Sequence, residues 1–188
     1  MSILQNAIGD AVENIQQLRA LEQPLAQAAA LVEQCLLGGH KLLVCGNGGS
    51  AADGADFSTE FTCRFVNDRR PYPAINLSAG GSLLTAIGND YGYDESFARQ
   101  VRAFAQKGDV LVAITTSGNS KNILRALGAA KDCGVQTIAL LGRDGGAAKG
   151  IATVELIVPN KVTARIQEAH KFLLHVLCET VEPALARG

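Results

Sequence analysis

The sequence predicts an α/β protein built on a five-stranded parallel sheet flanked by helices, and three observations carry that prediction. Five short, nearly uninterrupted apolar runs recur at 41–45, 74–77, 110–115, 137–141 and 154–158, the pattern of strands buried on both faces. The intervals between them carry helical spacing, and alternating strands and helices define a doubly wound sheet. The 47% apolar content comes mainly from Ala, Leu, Val and Ile, with aromatics at 5% and no Trp, the usual filling of helix-on-sheet layers. At 188 residues the chain is about one domain long, and no linker divides it.

The elements follow in order. Ile3, Ala7, Ala11, Ile15 and Leu18 stand at helical spacing, and Leu25, Ala28, Ala29, Val32 and Leu36 do so again after Pro24. Residues 1–38 therefore read as two helices, or one helix broken near Pro24, stopped by Gly38 and Gly39. Residues 41–158 are the doubly wound core, with helices expected at 50–65, 82–87, 95–105 and 120–133 and a short one at 147–150. Residues 69–73 form a turn, because Pro71 and Pro73 oppose helix continuation. Residues 163–186 make a long amphipathic helix with Ile166, Phe172, Leu173, Val176, Leu177 and Val181 at its apolar positions.

Charge excludes some partners. With 17 Lys plus Arg against 18 Asp plus Glu, the net charge of −1 offers no basic field for a nucleic acid backbone. The sequence has no signal-peptide pattern and no apolar run of membrane-spanning length, so a cytoplasmic protein without nucleic acid or membrane partners is expected. Five cysteines, an odd number without CxxC spacing, read as reduced structural thiols.

Two strand-to-helix junctions resemble each other: LLVCGNGGSAADGAD at 42–56 and VAITTSGNSKNIL at 112–124. In each, a buried strand empties into small and hydroxyl residues before a helix expected to be capped by Ser50 or Ser120. Gly46, Gly48, Gly49 and Gly118 permit close backbone approach, helix N-termini present free N–H groups, and Thr115, Thr116, Ser117 and Ser120 add hydroxyl donors. One such loop could equally be a tight turn. Two of them, at the carboxyl ends of parallel strands, point to a phosphorylated small molecule. Neither loop matches GxxxxGK[ST] or GxGxxG, so no nucleotide cofactor is expected.

CGNGGSA, AIGNDYG at 86–92, TSGNS at 116–120 and ARIQEAH at 164–170 occur in the order found in the sugar isomerase (SIS) family. The chain resembles its phosphoheptose isomerases from about Leu36 to Glu182. The resemblance implies a single SIS domain over 1–188, working as a homotetramer that interconverts sedoheptulose 7-phosphate and D-glycero-D-manno-heptose 7-phosphate on the route to bacterial surface heptose. It carries ligand-binding roles onto Asn47, Gly48, Gly49, Asn89 and Asp90, and phosphate binding onto Thr115, Thr116, Ser117 and Ser120. Paired catalytic and metal positions fall on Glu60, Gln167 and His175.

An aldose–ketose isomerisation needs a base for the proton alpha to the carbonyl and an acid that serves the oxygens. Glu60 and His175 have the side chains for those roles; read without the resemblance, they are a solvated helix glutamate and a core histidine. The resemblance also marks a departure, since metal-binding members usually carry histidine where this chain has Asp56. Asp56 and Glu60 share a helix face and could bracket a cation with Gln167 and His175. Carboxylates favour harder ions than zinc, so zinc stands as a weak candidate beside a metal-free site.

Gln167 and His175 are eight residues apart, which on a regular helix is about 12 Å of rise and about 80° of rotation. Either Gln167 sits at an unwound helix end, or sites combine more than one chain. Glu168 either orients His175 or makes a surface salt bridge, and His170 is structural or supports the site indirectly. Arg64, Arg69 and Arg70 read as a solvated turn rather than as residues that reach a phosphate on a neighbouring subunit, Lys121 as electrostatic support for the phosphate loop, and Tyr91 and Tyr93 as a cover for the sugar or interface residues. Two alternatives accompany the isomerase reading. One is a regulatory branch that resembles the isomerases, associates with the replication initiator DnaA and lacks the base at the Glu60 position. The other is an SIS isomerase or sensor for a different sugar phosphate, suggested by Asp56 and by Ala79-Gly80-Gly81.

Overall fold

The computed structural model describes residues 2–187; Met1 and Gly188, the ends of the predicted domain, lie outside the described residues. Helix α1 (Ile3–Gln17) opens with a capping box in which the Ser2 hydroxyl accepts from the Gln5 amide and the Gln5 side chain accepts from the Ser2 amide. A 3-10 turn at Leu18–Leu21 separates it from α2 (Glu22–Leu37). Two helices form, and the break falls ahead of Pro24, whose missing N–H costs nothing in the first turn of α2.

The strands are β1 (Leu42–Gly46), β2 (Ala74–Asn76), β3 (Val110–Thr115), β4 (Gln136–Gly142) and β5 (Val154–Val158). They pair in parallel in the order β2-β1-β3-β4-β5. Successive side chains face opposite layers. Leu42, Val44, Val112, Ile114 and Leu140 join the core under α2, α3 (Gly49–Thr62) and α7 (Thr163–Leu185). Leu43, Cys45, Leu111, Ala113 and Leu141 pack on the other face against α5 (Ala98–Phe104) and α6 (Lys121–Asp132). The chain runs outward from β1 to β2 and then returns to place β3 on the other side of β1. That reversal opens a crevice at the carboxyl ends of β1 and β3, where open α/β sheets receive ligands.

Several boundaries differ from expectation: α3 ends at Thr62 rather than 65, and α5 begins at Ala98, after a 3-10 turn at Tyr93–Glu95, rather than at 95. Helix α4 (Gly81–Tyr91) continues through Gly88 and stops only at Gly92, whose φ of 87° ends it. The helix expected at 147–150 is a single 3-10 turn, Gly146–Ala148. Ser50 does not cap α3: the cap is Gly48, with φ 55° and ψ −121°, a conformation open in practice only to glycine.

The long C-terminal helix is tied to both sheet and turn. The Tyr72 hydroxyl donates to the Leu185 carbonyl at 2.9 Å, satisfying one acceptor that the helix end leaves free. His170 is buried and donates from Nε2 to the Leu141 carbonyl at 3.1 Å; it is structural. Burial pulls its pKa down to about 4, which the Leu141 hydrogen bond only partly offsets. With the folded value below the unfolded one, the unfolded chain binds the extra proton, so this contribution is complete above about pH 6.5 and is lost as pH falls toward 4. The window corresponds to about 3 kcal/mol. His170→Gln should flatten the fall in urea-denaturation stability between pH 6.5 and 4; an unchanged slope would contradict the assignment.

All five cysteines are free. Burial pushes the Cys35 and Cys45 thiols up to about 12, which makes them inert, whereas Cys63 is exposed.

Candidate active site

The two glycine-bearing loops meet across the β1/β3 crevice. Asn47, at the end of β1, exchanges two 2.9 Å hydrogen bonds with Asn122 in the first turn of α6. Asn122 also donates to the Ser96 hydroxyl at 3.2 Å, and the Tyr93 hydroxyl donates to the Asn47 side-chain oxygen at 2.7 Å. Ser78, after β2, donates to the Gly46 carbonyl and accepts from the Gly46 amide. The first loop is thus held on three sides, by Asn122 and Ser78, which the sequence reading did not assign to the site, and by Tyr93, which it read as a sugar cover or an interface residue. Asn89 and Asp90 sit exposed at the end of α4, where Asn89 donates to Asp90 at 2.8 Å, and Tyr93 ties the segment after that helix to Asn47.

In the second loop, the Thr115 hydroxyl lies 3.5 Å from that of Ser117 and 3.3 Å from that of Ser120. Ser120 occupies the N-cap of α6 but makes no side-chain capping bond. Its hydroxyl therefore faces the loop rather than the helix amides, which leaves the N-terminal donors of α6 available to an anion. Gly118 turns the loop at φ 65°, and a Cβ there would run into the Gly145 carbonyl; its own carbonyl accepts from Ala148 at 2.9 Å. Gly118→Ala is expected to cost about 1–3 kcal/mol and to weaken phosphate binding, read by urea denaturation and by phosphate titration calorimetry. No change in either would sink the account of a loop held rigid by close backbone packing.

A second constellation runs along the seam of α3 and α7. Gln167, Lys171 and His175 recur every fourth residue on α7, forming one stripe. The Gln167 carboxamide packs so closely on Gly49 that a Cβ there would collide with it. Lys171 donates to Asp56 and stands 3.5 Å from Asp53. Burial raises the Asp53 pKa, with Lys171 and His175 acting in the other direction. The His175 ring lies 6.1 Å from that of Phe65, and Glu60 is half-buried on the α3 side. Gln167 is thus on a regular second turn and not at an unwound end. Lys171, between Gln167 and His175, is the residue that the sequence reading missed, although its i±4 spacing was a usable signal.

Other readings change. Glu168 bonds Arg165 at 2.6 Å and does not orient His175. Arg69 is no solvated turn: its side chain, 2% exposed, pairs with Glu182 at 3.0 Å and donates to the Glu60 carbonyl at 2.6 Å. Arg64 is exposed, donating to the nearby Val66 carbonyl, and Tyr91 is stacked by the Arg99 guanidinium 3.6 Å from its ring centre. The metal set Asp56, Glu60, Gln167 and His175 does not fit a zinc ion as it stands. Asp56 is held by the Lys171 ammonium, and among the described residues no three His, Cys, Asp or Glu side chains gather as ligands. Among those residues, too, no helix is long and apolar enough to cross a membrane.

A doubly wound sheet with two glycine-bearing loops at its switch point, the second lined by hydroxyls, defines an α/β protein of the class that receives a small ligand there, and the sequence profile of the SIS domain matches residues 6–142. A phosphoheptose isomerase of Shewanella sp. (strain ANA-3) is 50% identical over 169 residues, spanning 88% of this chain and 86% of that protein. The phosphoheptose isomerase structure from Neisseria gonorrhoeae superposes with a TM-score of 0.91 at 43% identity, over 96% of this chain and 97% of that one. The one from Francisella tularensis gives 0.93 at 37%, over 97% and 100%. The chain belongs to the phosphoheptose isomerase family of SIS-domain proteins.

Proposed function

We propose that the protein interconverts sedoheptulose 7-phosphate and D-glycero-D-manno-heptose 7-phosphate by proton transfer through an enediol. The observation that carries this is the pairing of a hydroxyl-lined phosphate loop with a carboxylate and an imidazole on adjacent helices, in a chain half identical to named phosphoheptose isomerases. Thr115, Thr116, Ser117, Ser120 and the first amides of α6 hold the phosphate, donating to its oxygens with little formal charge. Asn47, with the backbone of Gly48 and Gly49, and Asn89, Asp90 and Gln167 bind the sugar hydroxyls.

Glu60 takes a proton from C1 of the ketose while His175 supplies one to the C2 oxygen, giving the enediol. Return of a proton to C2 and loss of the O1 proton then leave the aldose, with atoms and electrons in balance. No step is assigned to a metal. The enzyme acts as a cytoplasmic homotetramer supplying bacterial surface heptose. Support for self-association comes from the exposed apolar residues Ile3, Leu4, Ile8 and Val12 on α1.

Purified protein incubated with sedoheptulose 7-phosphate and followed by NMR should form the aldose phosphate. Absence of turnover, with and without added divalent cations, would sink the proposal.

A further inference from the structure

The seam between α3 and α7 already contains a cation, and it belongs to the chain. Lys171 stands one helical turn after Gln167 and one before His175. Its ammonium reaches across to the neighbouring helix, where it donates to Asp56 and lies 3.5 Å from Asp53. Lys171 is 30% exposed and Asp53 15%, while Asp56 is 62% exposed, so the contact is shielded on its Asp53 side and open to solvent on its Asp56 side. Asp53 and Asp56 lie seven and four residues before Glu60, on its side of α3. The residues on either side of the lysine are therefore those assigned above to the sugar and the proton.

This arrangement opposes a divalent ion in two ways. The Asp56 carboxylate, the group standing where metal-binding relatives have an imidazole, is engaged by the ammonium, and that ion pair would have to break for Asp56 to serve as a ligand. A dication held by Glu60 and His175 would also sit beside a fixed positive charge, on the side of the seam that Asp53 shields and where repulsion is less screened than in bulk water. An ammonium supplies the positive field that a developing enediolate oxygen requires without opening a coordination site.

We infer that Lys171, held by Asp53 and Asp56, takes the place of a divalent metal in this site, excluding zinc and providing the fixed positive charge beside Glu60 and His175. This rests on the isomerase reading for its catalytic half only, since the exclusion of zinc is read separately. Lys171 is a positioning residue that acts through the field it sets.

The test uses full-length protein, with zinc binding measured by titration calorimetry and elemental analysis, and turnover measured before and after chelator treatment. The wild-type chain should purify with little zinc and keep its turnover after chelation. The pair of changes Asp56→His and Lys171→Leu, which restores an imidazole and removes the ammonium, should bind zinc about 10- to 100-fold more tightly than wild type. Lys171→Met should lower kcat by about 10²-fold with a small change in KM, and Lys171→Arg should recover part of the loss. Stoichiometric zinc in the wild type, loss of its turnover on chelation, or full activity of Lys171→Met would each overturn the inference. A wild-type chain that binds zinc weakly but turns over no heptose phosphate would instead refute the isomerase reading and leave the zinc-excluding pair standing.

Discussion

Glu60→Gln is expected to lower turnover of sedoheptulose 7-phosphate by about 10²- to 10⁴-fold, the usual contribution of a positioned general base. The amide keeps the shape of the carboxylate and loses its capacity to accept a carbon-bound proton. Binding of the sugar phosphate should stay within about threefold of wild type, since the phosphate loop on β3 and α6 is built from other residues. The local backbone should also hold, because Arg69 grips the carbonyls of Glu60 and Phe61 rather than the Glu60 side chain. Single-turnover kinetics with calorimetric binding separates the two effects. Full activity in this variant would remove Glu60 from the mechanism, and loss of binding with retained kcat would make it a ligand rather than a base.

Glu182→Ala should produce the largest loss of stability. The Arg69–Glu182 pair is buried, with side chains 2% and 6% exposed, and the Glu182 carboxylate also accepts from the Asn67 amide at 3.1 Å. Deleting one partner of a buried ion pair strands the other charge, at a cost of about 3–5 kcal/mol. For a chain of this size that is about 6–20 °C in melting temperature. The effect should reach the site, because the guanidinium that loses its partner is the one holding the end of α3 beside Glu60. Thermal melts of Glu182→Ala and of the double change Arg69→Met with Glu182→Leu are informative together: the double variant should recover much of the loss, since it leaves no buried charge unpaired. A single variant that melts like wild type would mean that the pair is solvated in solution.

The legibility of the chain follows the range of the forces involved. Strands β1, β3 and β4 could be read directly because burial on both faces demands continuous apolar runs, β5 because its apolar positions alternate around Glu155 at the sheet edge, and the β1 and β3 loops because close backbone approach demands glycine. Helix ends were less legible. Gly88 sits inside α4 while Gly92 ends it, and only the backbone angle distinguishes the two. Ser50 looked like a cap by type, but Gly48 takes that position because its φ and ψ suit no other residue.

Polar partners were the least legible. Asn122 finds Asn47 from 75 residues away, Arg69 finds Glu182 from 113, and Lys171 finds Asp56 from 115. A lysine or arginine on an amphipathic segment reads as solvated until another element packs beside it. By itself, then, the sequence determined the layered α/β architecture, the two loops at the strand ends and the residue types suited to proton transfer, because these depend on local pattern and backbone sterics. Only the tertiary structure decided which charges meet. It buried Arg69 against Glu182 and laid Lys171 across Asp53 and Asp56, because an ion pair's partner and its desolvation are set by how helices pack and not by their spacing along the chain.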